Sequence, residues 1–357
     1  MMLWIMNIII LFVHTYASLS RGYQSGRILF GLPVAIPEHL IDRKFTGLPL
    51  IQSIYRNLLK HIRGVEILNN KRGQLILELR KIQENQYRVT EEQNPWDYVL
   101  QMLDHIGDID SEFRDDLIYN TFSEWIEVKG FFDEEQLKYI LSVLMDNEHL
   151  FYQIGSDGND SVFTRTFSAL AIVLVLIRHR KKALLSVDEF TDIKNKLIEY
   201  YTSEKDLRGY IQKSEWAHAA AHGADVMDEL VQCRECNEDM IKEILNAFKK
   251  ILHNGRYILH TEEDERICRV VFRIMKENLL SNQEVVIWLE ELSECIGWQS
   301  DRIQYIARVN SKNFIRCLYF KTMHYDSTLD LINVIFNVEE KLNRFLKIDK
   351  ELIENQF

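Results

Sequence analysis

From Trp96 to Phe357 the chain contains no proline; Pro33, Pro37, Pro49 and Pro95 all precede that run. A proline inside a helix removes a backbone hydrogen bond and clashes with the preceding turn, at a cost of about 3 kcal/mol. So long a stretch without one leaves helices free to follow one another almost without interruption. The expected class is all-α.

Hydrophobic spacing agrees. The segments "WDYVLQMLDHI", "LKYILSVLMDNEHLF", "FSALAIVLVLIRH" and "VVIWLEELSECI" carry apolar residues at i, i+3, i+4 and i+7, and no run alternates strictly. Helix starts are expected at two capping boxes, Ser186-x-x-Glu189 and Ser281-x-x-Glu284, and at Asp133 and Thr261, which stand before acidic first turns. The reading gives about twelve helices after Gly73, one every ~20 to 25 residues. Paired, they suggest an array of antiparallel helices of the HEAT or armadillo kind, an α-α superhelix, with an irregular helical bundle as the alternative. Residues 1–72 read as an N-terminal extension and 73–357 as the helical-repeat domain.

The apolar run Leu3–Val13 is too short to span a bilayer but suits a signal segment. No Lys or Arg precedes it; the first is Arg21. A cytoplasmic protein is expected, with export or anchoring through residues 3–17 as the alternative. Segment 162–177 is the most apolar of the body, but Thr164, Arg165, Thr166 and Ser168 interrupt it. It reads as a buried central helix, and no membrane-spanning helix is expected.

The first 75 residues hold nine Lys/Arg against three Asp/Glu, while the whole chain carries a net charge of −11. The body is therefore strongly acidic. Nucleic-acid binding needs Lys and Arg to neutralise phosphates, so that partner class is excluded. Five cysteines do not suggest a secreted disulfide framework, and the lone Cys233-x-x-Cys236 reads as two helix-end thiols rather than a redox or zinc site.

The stretch "EWAHAAAHGAD", residues 215–225, carries the most chemistry. Continued as one helix, it sets His218, His222, Asp225 and Glu229 in a narrow arc, with Trp216, Met227 and Leu230 opposite. Alanines and Gly223 thin the flanks, so the helix should lie inside the array and turn its His/Asp stripe to a groove. His218 and His222 should be partly buried, with Asp206 or Arg208 within hydrogen-bond reach of the stripe. Arg114 and Arg165 could extend the network. Histidines at i and i+4 can share a metal, which makes His218, His222 and Asp225 candidate ligands for a divalent ion, completed by Asp206, Glu262 or Glu263. No HExxH is present, since Ala219 follows His218.

Two functions are compatible with these residues. One is a binding scaffold whose groove takes a protein segment or a small polar ligand. The other is a metal-dependent or acid/base enzyme, hydrolase-like, working from His218, His222 and Asp225.

"NPWDYVLQMLDHIGDIDSEFRDDLIYNTFSEWI", "FTRTFSAL" and "EKDLRGYIQKSEWAHAAAHGADVMDEL" resemble the bacterial family catalogued as domain of unknown function 2785. The likeness covers roughly residues 75–350, and the WAHAxAHxAD core after a DxRG turn carries it. Asp206, Arg208, Gly209, Trp216, His218, His222 and Asp225 match its motif, and Glu215 departs from the small residue expected there. The resemblance implies an all-helical, repeat-like fold and no established activity.

Overall fold

The computed structural model describes residues 71–325 and 331–346, which lie in the second of the chain's two units, Asn69–Phe357. Residues 1–70 of the expected N-terminal extension, with the Leu3–Val13 run, lie outside the described residues, while Lys71 and Arg72 already belong to the first described helix.

The described chain is mostly helical, with almost no strand. A helix over 71–84 (α1) leads to α2 (Pro95–Asp104). The following helix, α3, is wound in three segments: π-helical Glu112–Tyr119, α-helical Asn120–Phe122 and π-helical Ser123–Val128. Then come α4 (Glu134–Leu144), α5 (Ser161–Lys181), α6 (Val187–Ser203) and α7 (Ala219–Val231). The chain closes with α8 (Glu238–Leu252), α9 (Glu263–Lys276), α10 (Asn282–Glu291), α11 (Arg302–Tyr325) and α12 (Ile332–Leu342). Between α6 and α7 lies one hairpin of two-residue strands, β1 (Tyr210–Ile211) and β2 (Glu215–Trp216), paired antiparallel with Tyr210 opposite Trp216.

Helix starts follow local chemistry. Asp133 with Gln136, and Ser186 with Glu189, each form a reciprocal capping box. Ser281 forms half of one, accepting from the Glu284 amide at 3.3 Å. Thr261 does not cap α9. The cap is Glu262 in a left-handed conformation (φ 68°), while Glu263 accepts both the N–H and the hydroxyl of Thr261.

Helices pack two apart in sequence. α5, α7, α9 and α11 touch in succession, α6 lies against α8, and α10 against α12. α7 sits inside this arrangement, in contact with α5, α6, α8 and α9, and every residue of it except His222 is buried. The small side chains explain the fit. A Cβ on Gly223 would stand inside the van der Waals shell of the Tyr201 ring on α6, so only glycine lets the two helices approach this closely.

By length and composition α5 could cross a membrane, but 78% of its most apolar window is buried inside the fold. A lipid-facing helix would leave that surface outward. Its polar residues are paired: the guanidinium of Arg165, fully buried, donates to Glu204 at 2.6 and 2.8 Å and to Ser161 at 2.7 Å.

Candidate functional site

The helix carrying the His/Asp motif begins at Ala219, one residue after His218. This corrects the single-helix reading of 215–225. Glu215 and Trp216 are strand, and His218 holds a left-handed backbone (φ 49°, ψ 37°). Lys213 and Glu215 also have positive φ, 87° and 61°. Three non-glycine residues in that region within six positions mark a strained strap, held by its surroundings.

Those surroundings are specific. The Ala217 amide donates to the Gly209 carbonyl at 2.9 Å and the His218 amide to the Arg208 carbonyl at 3.1 Å. From α3, Arg114 donates to the Ser214 carbonyl at 2.9 Å while its guanidinium lies over Phe163 and Phe167 of α5. Gly209 is forced by closeness, because any Cβ there would collide with Thr261 and Glu263.

On this frame the rings form a chain. Tyr210 meets Trp216 edge-on at 5.0 Å, Trp216 lies over His218 at 4.3 Å, His218 faces His222 at 5.8 Å, and His222 meets Phe167 at 5.7 Å. Trp216 is 40% and Tyr210 54% exposed, so these two rings form the outer end of the stack. Nε2 of His218 and Nδ1 of His222 are enclosed and make no hydrogen bond. Burial, with a smaller contribution from His222, pushes the His218 imidazole down to about 4, so the ring is neutral at ordinary pH. No side chain caps α7 either. Its first backbone bond runs from the His222 amide to the His218 carbonyl at 2.9 Å, and the amides of Ala219, Ala220 and Ala221 reach no acceptor among the described residues.

Asp225 stands one turn beyond His222, 3.6 Å from its Nδ1. It accepts from Arg266 at 2.9 Å and from Arg269 at 2.6 Å, both on α9. Burial disfavours its charged form, but His222, Arg266 and Arg269 outweigh that and hold the carboxyl below the usual range. Asp228 pairs with Arg273 at 3.0 Å, and Glu229 with Arg180 at 2.7 Å. Nearby, Tyr119 on α3 has its phenol pushed up to about 12 by burial and by the charge of Asp225.

His218, His222, Asp225 and Glu229 are thus brought to one side of α7, with both histidines half-buried. Asp206 and Arg208 do not join them by their side chains. Asp206, fully buried, accepts from Gly158 N–H at 3.0 Å and from Arg208 at 2.6 and 2.7 Å, and Arg208 also donates to the Asn159 carbonyl. They tie the strap to the 155–160 loop, and only the Arg208 backbone touches His218. Arg114 and Arg165 likewise serve the frame, not the stripe. The arginines that do meet the acidic residues, Arg266, Arg269 and Arg273, are visible in "ERICRVVFR" as a stripe at i, i+3 and i+7. Their target was not visible, because the paired carboxylates lie some 40 positions earlier on another helix.

The metal reading does not fit. Among the described residues no group of three or more His, Cys, Asp or Glu is arranged to hold a metal ion, and His218, His222 and Asp225 do not converge on one point. Asp225 is already neutralised by two guanidiniums, which would repel a cation. Cys233 and Cys236 are not bridged, and burial pushes both thiols up to about 12, which removes thiolate chemistry at neutral pH.

Residues 150–320 match the model of a family described as "Protein of unknown function (DUF2785)". Over these residues, just under half of the chain, the match supports the resemblance to that family. The DUF2785 region takes in α5 to α10, the strap and most of α11, and so contains the whole ring stack and its arginines. It is narrower than the resemblance over 75–350, since "NPWDYVLQMLDHIGDIDSEFRDDLIYNTFSEWI" lies before its start. No curated protein and no solved structure matches the chain.

Proposed function

We propose that the protein is a binding scaffold, a HEAT-like array of helix pairs that takes a small polar ligand between the strap and the start of α7. The observation that carries this reading is unspent hydrogen-bonding capacity. Enclosed polar groups in a folded protein normally find partners, yet His218 Nε2 and three first-turn amides make no hydrogen bond, and His222 Nδ1 has only Asp225, at 3.6 Å. The amides offer donors at the positive end of a helix, and a neutral imidazole offers an acceptor. A ligand with a carbonyl or carboxylate for the former and a hydroxyl or amine for the latter would satisfy both. Trp216 would cover it, and the strained strap is the kind of backbone that proteins hold at binding sites.

Binding is favoured over acid/base catalysis on the proton affinity of His218. A general base works best with its pKa near the operating pH, and a ring held at about 4 is far from that.

The test is an NMR screen of hydroxy acids, amino acids and small amides against protein labelled at its histidines. A binder should shift both the His218 and the His222 rings and lose affinity in His222→Ala and Trp216→Ala. The reading fails if no compound moves either ring, or if binding is unchanged in both variants.

A further inference from the structure

Three arginines are buried among the described residues, and two of them have a carboxylate: Arg114 meets Asp115 at 2.7 Å and Arg165 meets Glu204 at 2.6 Å. The third, Arg308 on α11, is only 5% exposed and has none there. Its Nη1 donates to the Leu342 carbonyl at 3.0 Å. Its Nε is enclosed without an acceptor, and Nη2 has no acceptor among the described residues. The edge of the guanidinium that binds carboxylate or phosphate side-on is the edge left free.

Its charged neighbours are cations, and the Tyr305 ring lies 5.7 Å from the guanidinium carbon. Lys312 and Arg316 follow at steps of four along the same face of α11, and Arg344, after α12, lies close enough to act on Arg308. Burial and then Arg344 lower the proton affinity of Arg308; burial, Arg316 and Arg308 do the same to Lys312, against Glu339. Glu339 is committed to Arg316 at 2.7 Å and to the Asn343 amide at 3.1 Å. In a chain of net charge −11, a positive cluster around a buried, unneutralised guanidinium is an anomaly. A buried charge without a counter-ion is strongly unfavourable, and an anion at the free edge relieves it.

We propose that the Nε/Nη2 edge of Arg308, with Lys312 and Arg344 beside it, binds a phosphate-type oxyanion. Free phosphate and the phosphate group of a phosphomonoester share the chemistry that fits: a tetrahedral oxyanion offering two oxygens to one guanidinium and a third to the flanking cations. The site is separate from the strap and does not depend on the reading given for it.

Thermal unfolding of the full chain tests this, with inorganic phosphate, glycerol phosphate or chloride added at matched ionic strength. Phosphate, the monoester or both should raise the melting temperature in a saturable way, and chloride should not. A response to the monoester well above that to phosphate would identify the ester as the ligand, and the reverse would identify the free ion. Arg308→Met should abolish the response, and it can fold well because it removes a buried unpaired charge. Should Arg308→Met not fold, Lys312→Gln with Arg344→Gln carries the test, with an expected loss of affinity of about tenfold or more. An equal response to chloride, or an undiminished response in the double variant, overturns the proposal. So does a response that emerges only when Asp349, Glu351 and Glu354 are changed to their amides, since the chain's own carboxylates would then be the counter-ions.

Discussion

Trp216 lies over the imidazole of His218, ring centroids 4.3 Å apart with the planes tilted by 33°. The indole, from a two-residue strand, thereby shields the residue that starts α7 and contributes to the burial that lowers its proton affinity. The first prediction is that NMR titration finds the His218 imidazole near 4, and that Trp216→Ala moves it back toward the free value of 6.5. A wild-type midpoint near 6.5 would sink the claim.

The same shift sets a pH dependence. His218 binds its proton less readily in the folded than in the unfolded chain, so the unfolded state takes up more protons between these two values. Stability therefore rises with pH through that window. The contribution of His218 is fully present above about 6.5 and is lost as pH falls toward about 4. Urea unfolding of wild type and His218→Ala at pH 7.5 and 5 should show the wild type losing more stability than the variant.

Asp225 serves two guanidiniums while itself nearly enclosed, whereas Arg266 and Arg269 are 43% and 41% exposed. The two sides of the pair should respond unequally. Asp225→Asn removes charged hydrogen bonds to both arginines, and a loss of about 1–3 kcal/mol is expected. Arg266→Gln leaves Asp225 with Arg269 and should cost about 1 kcal/mol or less, because the lost partner is half in water. Equal losses in chemical denaturation would show that Arg269 cannot support the carboxylate alone.

Arg165 and Glu204 form a pair with almost no solvent contact on either side. Glu204→Gln leaves a buried guanidinium uncompensated and also weakens the acceptor used by the Lys205 and Asp206 amides. The expected loss is about 3–5 kcal/mol. Arg165→Met combined with Glu204→Gln should recover part of it, since no unpaired charge remains; a double variant weaker than Glu204→Gln alone would contradict this account.

Gly223→Ala tests the closeness of α6 and α7. Alanine is better than glycine in a helix by about 1 kcal/mol. The added methyl must displace the buried Tyr201 ring, an overpacking expected to cost about 1–3 kcal/mol, so the net effect should be destabilising. A variant more stable than wild type would mean that Tyr201 moves aside freely.

The helices were legible because their causes are local. A missing proline, apolar residues at helical spacing, and Ser186 or Asp133 facing an acceptor three residues on all act within one or two turns. The interior place of α7 was legible too, since alanine and glycine at its flanks permit close neighbours and little else. At Thr261 the same local logic failed, because Glu263 captured the hydroxyl that would have capped α9.

What the sequence could not state is where the motif's helix begins. Helical periodicity continues through Trp216 and His218, but the Gly209 and Arg208 carbonyls claim the Ala217 and His218 amides, and Arg114, a hundred positions before Ser214, grips the strap. Those bonds turn His218 into a left-handed residue and leave the start of α7 uncapped. The partners of Asp225 were equally hidden, for an acidic residue on one helix does not say which arginine stripe will pack beside it. The sequence by itself determined which segments are helices and which residues crowd one face of α7. The tertiary structure decided which of their hydrogen bonds and charges are already used and which remain open, because that depends on groups brought together from 40 to 100 positions apart.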